Sequence, residues 1–322
     1  MPLQEALINQ TVLKRLANVM QNGRLAHAYM FVGPTDSGKG ETAKAVALLV
    51  NCDNADLIQG HSCGVCPACL KMSCGPHPDI HIVYSDDGET IKIDQVRELL
   101  AQSRLRPFEA RRKVFIIRNV EQLTAEGANA LLKTLEEPGG NSLFILTTAH
   151  LEKNLDTILS RCQRMTFLPE GKEKLAGRLV KHYDVEARQA HFLAFFAEGA
   201  PGKARRFLNE KISEDKDGAI DHFLLSDNSE SYLKKILADK RKTKVFLDVL
   251  FSWARDCWLV KAGGPPGMLI HADRLRDLER FQARFNLEAL QEFTGEIINT
   301  RRLLAENLNI KIPIMMIKER MM

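Results

Sequence analysis

The sequence predicts an α/β domain followed by a region built from helices alone. Three observations carry that expectation. Strand-like apolar runs alternate with amphipathic helical stretches up to residue 168. A glycine-rich turn, Gly33 to Lys39, stands between the first strand and the helix after it. Past Pro169 no convincing strand pattern remains.

The elements follow in order. A helix over 12–22 leads to a strand over 27–32, the glycine turn, and a helix over 41–49. Further strands are expected at 79–84, 114–120, 143–148 and 164–168. Helices lie between them at 93–105 and 125–136, the second stopped by Pro138. Strands separated by helices imply a parallel sheet covered on both faces. From 170 to 199 the pattern gives two short amphipathic helices, and Pro201-Gly202 opens another. Longer helices are expected at 244–261, 272–285 and 287–308, broken by Gly263-Gly264-Pro265-Pro266-Gly267.

Composition narrows the class. At 322 residues the chain exceeds one ordinary core, and 45% hydrophobic with 27% charged residues describes a globular protein. With 45 basic and 41 acidic residues, charge alone gives no case for nucleic-acid binding. The segment MPLQEALINQ shows no leader pattern and the apolar runs are too short to span a bilayer. Seven cysteines then read as reduced thiols or metal ligands, and the expected location is the cytoplasm, with no membrane partner.

Gly33, Gly38 and Lys39 fit G-x-x-x-x-G-K, whose backbone N–H groups converge on phosphates while the lysine reaches the outer ones. The bland alternative is a glycine turn with a chance lysine, but strand and helix stand where the motif needs them. The next position should carry a hydroxyl for magnesium and is Gly40. Thr42 is about 200° further round the helix and points elsewhere. The strand that should end in metal-holding acids runs Lys113 to Ile117 and continues Arg118-Asn119-Val120-Glu121. A cation at that point repels magnesium. Glu121 reads as a solvated helix-start residue. The expectation is a phosphate cradle with weak or no nucleotide binding and no catalysis.

Cys63-x-x-Cys66-x-x-Cys69, with Cys52 eleven residues earlier, offers four thiols in a segment rich in Gly, Pro and Ser. Structural zinc takes such a set and staples a loop that lacks a core. An iron–sulfur cluster uses the same spacing, unrelated reduced thiols are the bland reading, and His61, Cys74 and His77 are spare ligands.

These pieces resemble the clamp-loader subunits of the bacterial DNA polymerase III holoenzyme, of the AAA+ class. The resemblance covers most of residues 1–210 and rests on "GRLAHAYMFVGP", the cysteine insertion, "NALLKTLEEP", "LFILTT" and "SRCQ". It implies a RecA-like domain over 1–168 with a zinc insertion at about 50–78, a helical lid over 169–210 and a helical collar over 211–322. In that family the arginine of Ser-Arg-Cys, here Arg161, reaches the γ-phosphate of ATP held by a neighbouring subunit. Motor subunits keep the loop hydroxyl and the acidic strand end, whereas the delta prime type loses both and keeps Ser-Arg-Cys. The sequence resembles that type. The implied partners are gamma/tau-type motor subunits and a delta subunit in a hetero-oligomeric ring, with the sliding clamp and primed DNA reached through the complex. Thr147, Thr148 and Arg205 fall at the family's sensor positions and read as structural remnants. Alternatives are an ATP-hydrolysing motor subunit, and a nucleic-acid module built on Arg104-Leu105-Arg106 and Arg111-Arg112-Lys113. The latter clusters read as solvated surface lacking interleaved aromatics.

Overall fold

The computed structural model describes residues 7–85, 89–151, 156–226 and 228–321. Met1 to Ala6, part of the segment read above for a leader, lie outside them. The chain divides into two compact units, Met1–Pro169 with Ala200–Gly202, and Glu170–Gly199 with Lys203–Met322.

The first unit begins with α1 (Gln10–Gln21), β1 (Ala28–Val32) and α2 (Lys39–Asn51). A short helix, α3 (Pro67–Cys74), lies in the cysteine insertion and was not expected. Then come β2 (Ile80–Val83), α4 (Ile93–Ser103) and β3 (Lys113–Ile117). The unit closes with α5 (Ala125–Glu136), β4 (Ser142–Thr148), α6 (Asp156–Leu159) and β5 (Gln163–Thr166). The strands are parallel and lie in the order β2-β3-β4-β1-β5, the RecA-like arrangement of the AAA+ class. Every residue of β1, β3 and β4 is buried. They therefore read as unbroken apolar runs, because α1 and α2 cover one face and α4 and α5 the other.

Local chemistry explains where the boundaries differ from expectation. Helix α2 starts two residues early because Gly38, at φ 85°, takes the left-handed conformation that caps it. Strand β3 stops at Ile117 because Asn119, at φ 55°, turns the chain away.

The second unit contains α7 (Lys172–Tyr183), α8 (Ala187–Phe196), α9 (Pro201–Asn209) from Lys203 onward, α10 (Ile212–Ala219) and α11 (Glu230–Leu237). After these come α12 (Lys240–Lys261), α13 (Leu275–Gln282), α14 (Leu287–Ala305) and α15 (Lys311–Glu319). Helices α10, α11 and α15 had no counterpart in the sequence reading, and the expected 272–285 helix splits into a 3₁₀ turn at Ala272–Arg274 and α13. Helix α14 ends three residues early in a Schellman turn, with Asn307 left-handed and the Leu308 N–H donating to Leu303 O. Among the described residues this unit contains no strand. One apolar core, including Phe192, Phe223, Phe246, Trp253, Phe281 and Phe293, runs from α7 to α15. No described helix is long and apolar enough to cross a membrane.

Candidate functional site

The glycine turn lies at the carboxyl end of β1, where α/β sheets of this kind bind ligands. Its backbone is tightly enclosed. A side-chain carbon on Gly33 would lie 2.3 Å from Phe167 O, and one on Gly38 would lie 2.0 Å from Leu7 O. Thr42, fully buried, donates to Gly38 O at 2.8 Å and accepts the Asn9 N–H at 2.9 Å. Its hydroxyl thus fastens the segment before α1 to the turn and does not replace the one missing from Gly40.

Lys39 is only 6% exposed. Its ammonium donates to Gly33 O at 2.7 Å, Pro34 O at 2.5 Å and Ser37 Oγ at 3.4 Å. The lysine therefore fills its own turn. Burial lowers it to about 8, and Arg118 adds to that effect while Glu121 and Asp36 oppose it.

The two departures seen in sequence meet in space. A side-chain carbon on Gly40 would sit 3.3 Å from Arg118 Nε and 3.4 Å from Arg118 Cζ. The guanidinium therefore lies against the glycine that replaced the hydroxyl. Where Gly40 stands the chain offers magnesium no hydroxyl, and the end of β3 presents a cation beside it. The residues do not fit a metal–nucleotide complex.

Glu121 is not the solvated residue expected. It is half-buried, with Oε1 accepting the Ala149 N–H at 3.2 Å and Oε2 buried without a partner. The fold brings it into the field of Lys39, because the left-handed turn at Asn119 carries the chain back past the end of β4. Thr147 accepts the Asn119 N–H at 3.1 Å, and Thr148 exchanges hydrogen bonds with the His150 backbone. Both sensor-position hydroxyls are thus spent on backbone. Arg205 lies in the second unit with its guanidinium 5.9 Å from the centre of the Tyr183 ring.

The cysteine cluster closes as a set. The Sγ atoms of Cys52, Cys63, Cys66 and Cys69 all lie within 4.8 Å of one another, and the Cys52–Cys66 pair is 4.0 Å apart. A tetrahedral ion at about 2.3 Å from each sulfur spaces them about 3.8 Å apart, so the four residues fit one. Cys52, Cys66 and Cys69 are buried. The Cys63 N–H donates to Cys52 Sγ at 3.2 Å and the Cys66 N–H to Cys63 Sγ at 3.3 Å, the amide–sulfur pattern that favours thiolates. Backbone N–H groups of Val65 and Cys66 hold the Cys63 thiol down at about 6, while burial pushes Cys69 up to about 12. As metal ligands all four would be thiolates, and their mutual repulsion at this distance would be offset by the cation they hold. Of the spare ligands, none joins the cluster: His61 pairs backbone with Asp56, Cys74 is exposed and His77 faces Glu109.

Arg161 stands in the turn between α6 and β5. Its Nε donates to Glu136 Oε1 at 2.8 Å and its Nη2 donates to the same oxygen. Its Nη1 donates to Thr157 O at 2.7 Å and Ser160 Oγ at 3.2 Å. The neighbouring Cys162 thiol is raised to about 12 by burial, so it is protonated and inert.

Of the basic clusters, Arg111 bonds Cys52 O and Asp53, and Lys113 is buried on Gln102 O. Arg104 and Arg106 line an open recess of about 590 Å³. Phe108, 82% exposed, stands between the clusters, an aromatic the sequence reading left out.

Comparison with known proteins shows the family. The family described as DNA polymerase III, delta subunit, matches residues 8–171, just over half of the chain, and its C-terminal counterpart matches residues 222–318. The chain is 28% identical over 310 residues to DNA polymerase III subunit delta′ of Bacillus subtilis, covering 93% of this chain and 92% of that protein. It is 30% identical over 295 residues to the B. subtilis tau subunit, spanning 83% of this chain but only 52% of tau. A DNA polymerase III gamma-subunit-related protein of Thermotoga maritima aligns over 96% of this chain and 99% of its own, at 20% identity and a TM-score of 0.46. The chain belongs to the DNA polymerase III delta-subunit family of clamp-loader proteins.

Proposed function

We propose that this chain is the delta-prime-type subunit of a bacterial clamp loader, one that does not hydrolyse ATP itself and lends Arg161 to the ATP site of a neighbouring motor subunit. The observation that carries the reading is the stacking of Arg118 on Gly40. It replaces both metal supports with one cation, while Ser160-Arg161-Cys162 remains intact and reaches the surface. Lys39, bonded to the carbonyls of its own turn, supports weak or no nucleotide binding.

In this reading the first unit is the AAA+ domain. The four cysteines hold one structural zinc, which ties the insertion to the end of α2. Residues 169–210 form a lid and 211–322 the collar that joins the ring. The neighbours are gamma/tau-type motor subunits and a delta subunit. The sliding clamp and primed DNA are engaged through the assembly, in the cytoplasm. The full-length likeness to a delta′ subunit supports this reading over that of a motor subunit.

Reconstitution with candidate motor subunits, followed by mass measurement and ATP turnover, tests it. The chain alone should be silent, and the complex should turn over in an Arg161-dependent way. Lys39-dependent turnover by the chain alone would favour the motor reading.

A further inference from the structure

We propose that Glu136 is a positioning residue that holds Arg161 on its own chain and competes with phosphate for the same edge of the guanidinium. The inference rests on the reading of Arg161 as a residue that acts on a neighbour's nucleotide.

Glu136 is the last residue of α5 and is followed by Glu137 and Pro138. A helix carboxyl end favours cations, so a glutamate there adds nothing to helix stability. Its carboxylate instead takes Arg161 from the side, with Nε and Nη2 both donating to Oε1. Nη1 is held by Thr157 O and Ser160 Oγ. A guanidinium has five N–H groups, and these bonds leave it a single one, on Nη2. A paired grip on phosphate needs two parallel N–H groups. While Glu136 holds on, Arg161 cannot make one.

Release of Glu136 alone frees the Nε–Nη2 edge and leaves Nη1 anchored by Thr157 and Ser160. The freed edge is a ready fork on a fixed base. The restraint is mild, because the Arg161 and Glu136 side chains are 31% and 51% exposed, and exposed pairs shift an equilibrium by roughly 1.5- to 5-fold. A phosphate bearing more than one negative charge displaces such a carboxylate, whereas water does not. Glu136 thereby keeps the arginine parked in the free subunit and yields it to a nucleotide-bearing neighbour.

The test uses the reconstituted loader carrying Glu136→Gln, Arg161→Ala or both. Glutamine keeps the shape and removes the charge. Glu136→Gln should lower the KM for ATP or raise DNA- and clamp-stimulated turnover about two- to five-fold with assembly unchanged, and should do nothing in the Arg161→Ala background. In the isolated subunit, the Arg161 Nε–H resonance should be protected from exchange and lose that protection in Glu136→Gln. Turnover at or below wild type in Glu136→Gln with the KM for ATP not lowered, an undiminished effect without Arg161, or unchanged Nε–H protection would each overturn the proposal. If Arg161→Ala itself leaves turnover intact, the reading of Arg161 fails, and the proposal with it. An impaired Arg161→Ala beside a neutral Glu136→Gln sinks the Glu136 proposal alone.

Discussion

Replacing Gly38 by alanine puts a methyl group where the Leu7 carbonyl oxygen already lies, 2.0 Å from the added carbon. That oxygen is backbone and has no rotamer to escape into. The φ of 85° at Gly38 adds about 1–2 kcal/mol for any residue with a side chain. Relief requires the 7–9 segment to lift, which breaks the Asn9–Thr42 hydrogen bond, about 1 kcal/mol. It also exposes Leu7 and Ile8, now 8% and 3% exposed, at up to about 2 kcal/mol each. Partial lifting sets the expected loss at about 2–4 kcal/mol. Urea denaturation followed by a probe in the first unit reads it. Gly140→Ala is the control: nothing lies within 4 Å of an added carbon there, and stability should stay within about 0.5 kcal/mol. A Gly38→Ala chain as stable as the control would refute the claim that the approach of the Leu7 carbonyl and the left-handed backbone require glycine at this position.

Removal of the metal with a chelator, or Cys66→Ser, should release the insertion to proteolysis while the sheet stays folded, since structural zinc supplies on the order of 10 kcal/mol of local folding free energy. Metal analysis should return one zinc per chain; iron, or no metal in reduced protein, would contradict it. The purified chain should show no ATP turnover above background. Because burial lowers Lys39 from 10.5 to about 8, the unfolded chain binds its proton more tightly than the folded one. Stability relative to Lys39→Met should therefore rise between about pH 8 and 10.5, by at most about 3 kcal/mol; a flat difference across that window would count against the buried ammonium.

Much of this was legible in residue order. The three buried strands announce themselves as apolar runs, and both the missing hydroxyl at Gly40 and the misplaced Arg118 can be read directly. Their contact cannot, because it depends on β3 and β1 being brought near one another across β4. Glu121 was misread for the same reason: nothing local shows that Asn119 turns left-handed and carries the carboxylate inward. The cysteine spacing pointed to the four candidate ligands, and the fold was needed to set His61, Cys74 and His77 apart from them. Helix α3 hid behind Pro67 and two cysteines, residues that signal a turn until the cluster fixes them. The Arg161–Glu136 pair links positions 25 residues apart and carries no sequence signature.

The central claim is that this subunit acts on ATP only through a neighbour, and Arg161→Ala in the reconstituted loader tests it most directly. An arginine acting in trans contributes roughly 10³–10⁵ in rate in other systems, and the loss here should be smaller because one of several sites is affected. The alanine variant should fold, keep its metal and assemble normally but lower DNA- and clamp-stimulated ATPase, with Arg161→Lys recovering little because it lacks the planar fork. An alanine complex that hydrolyses ATP and loads clamps at the wild-type rate would contradict it.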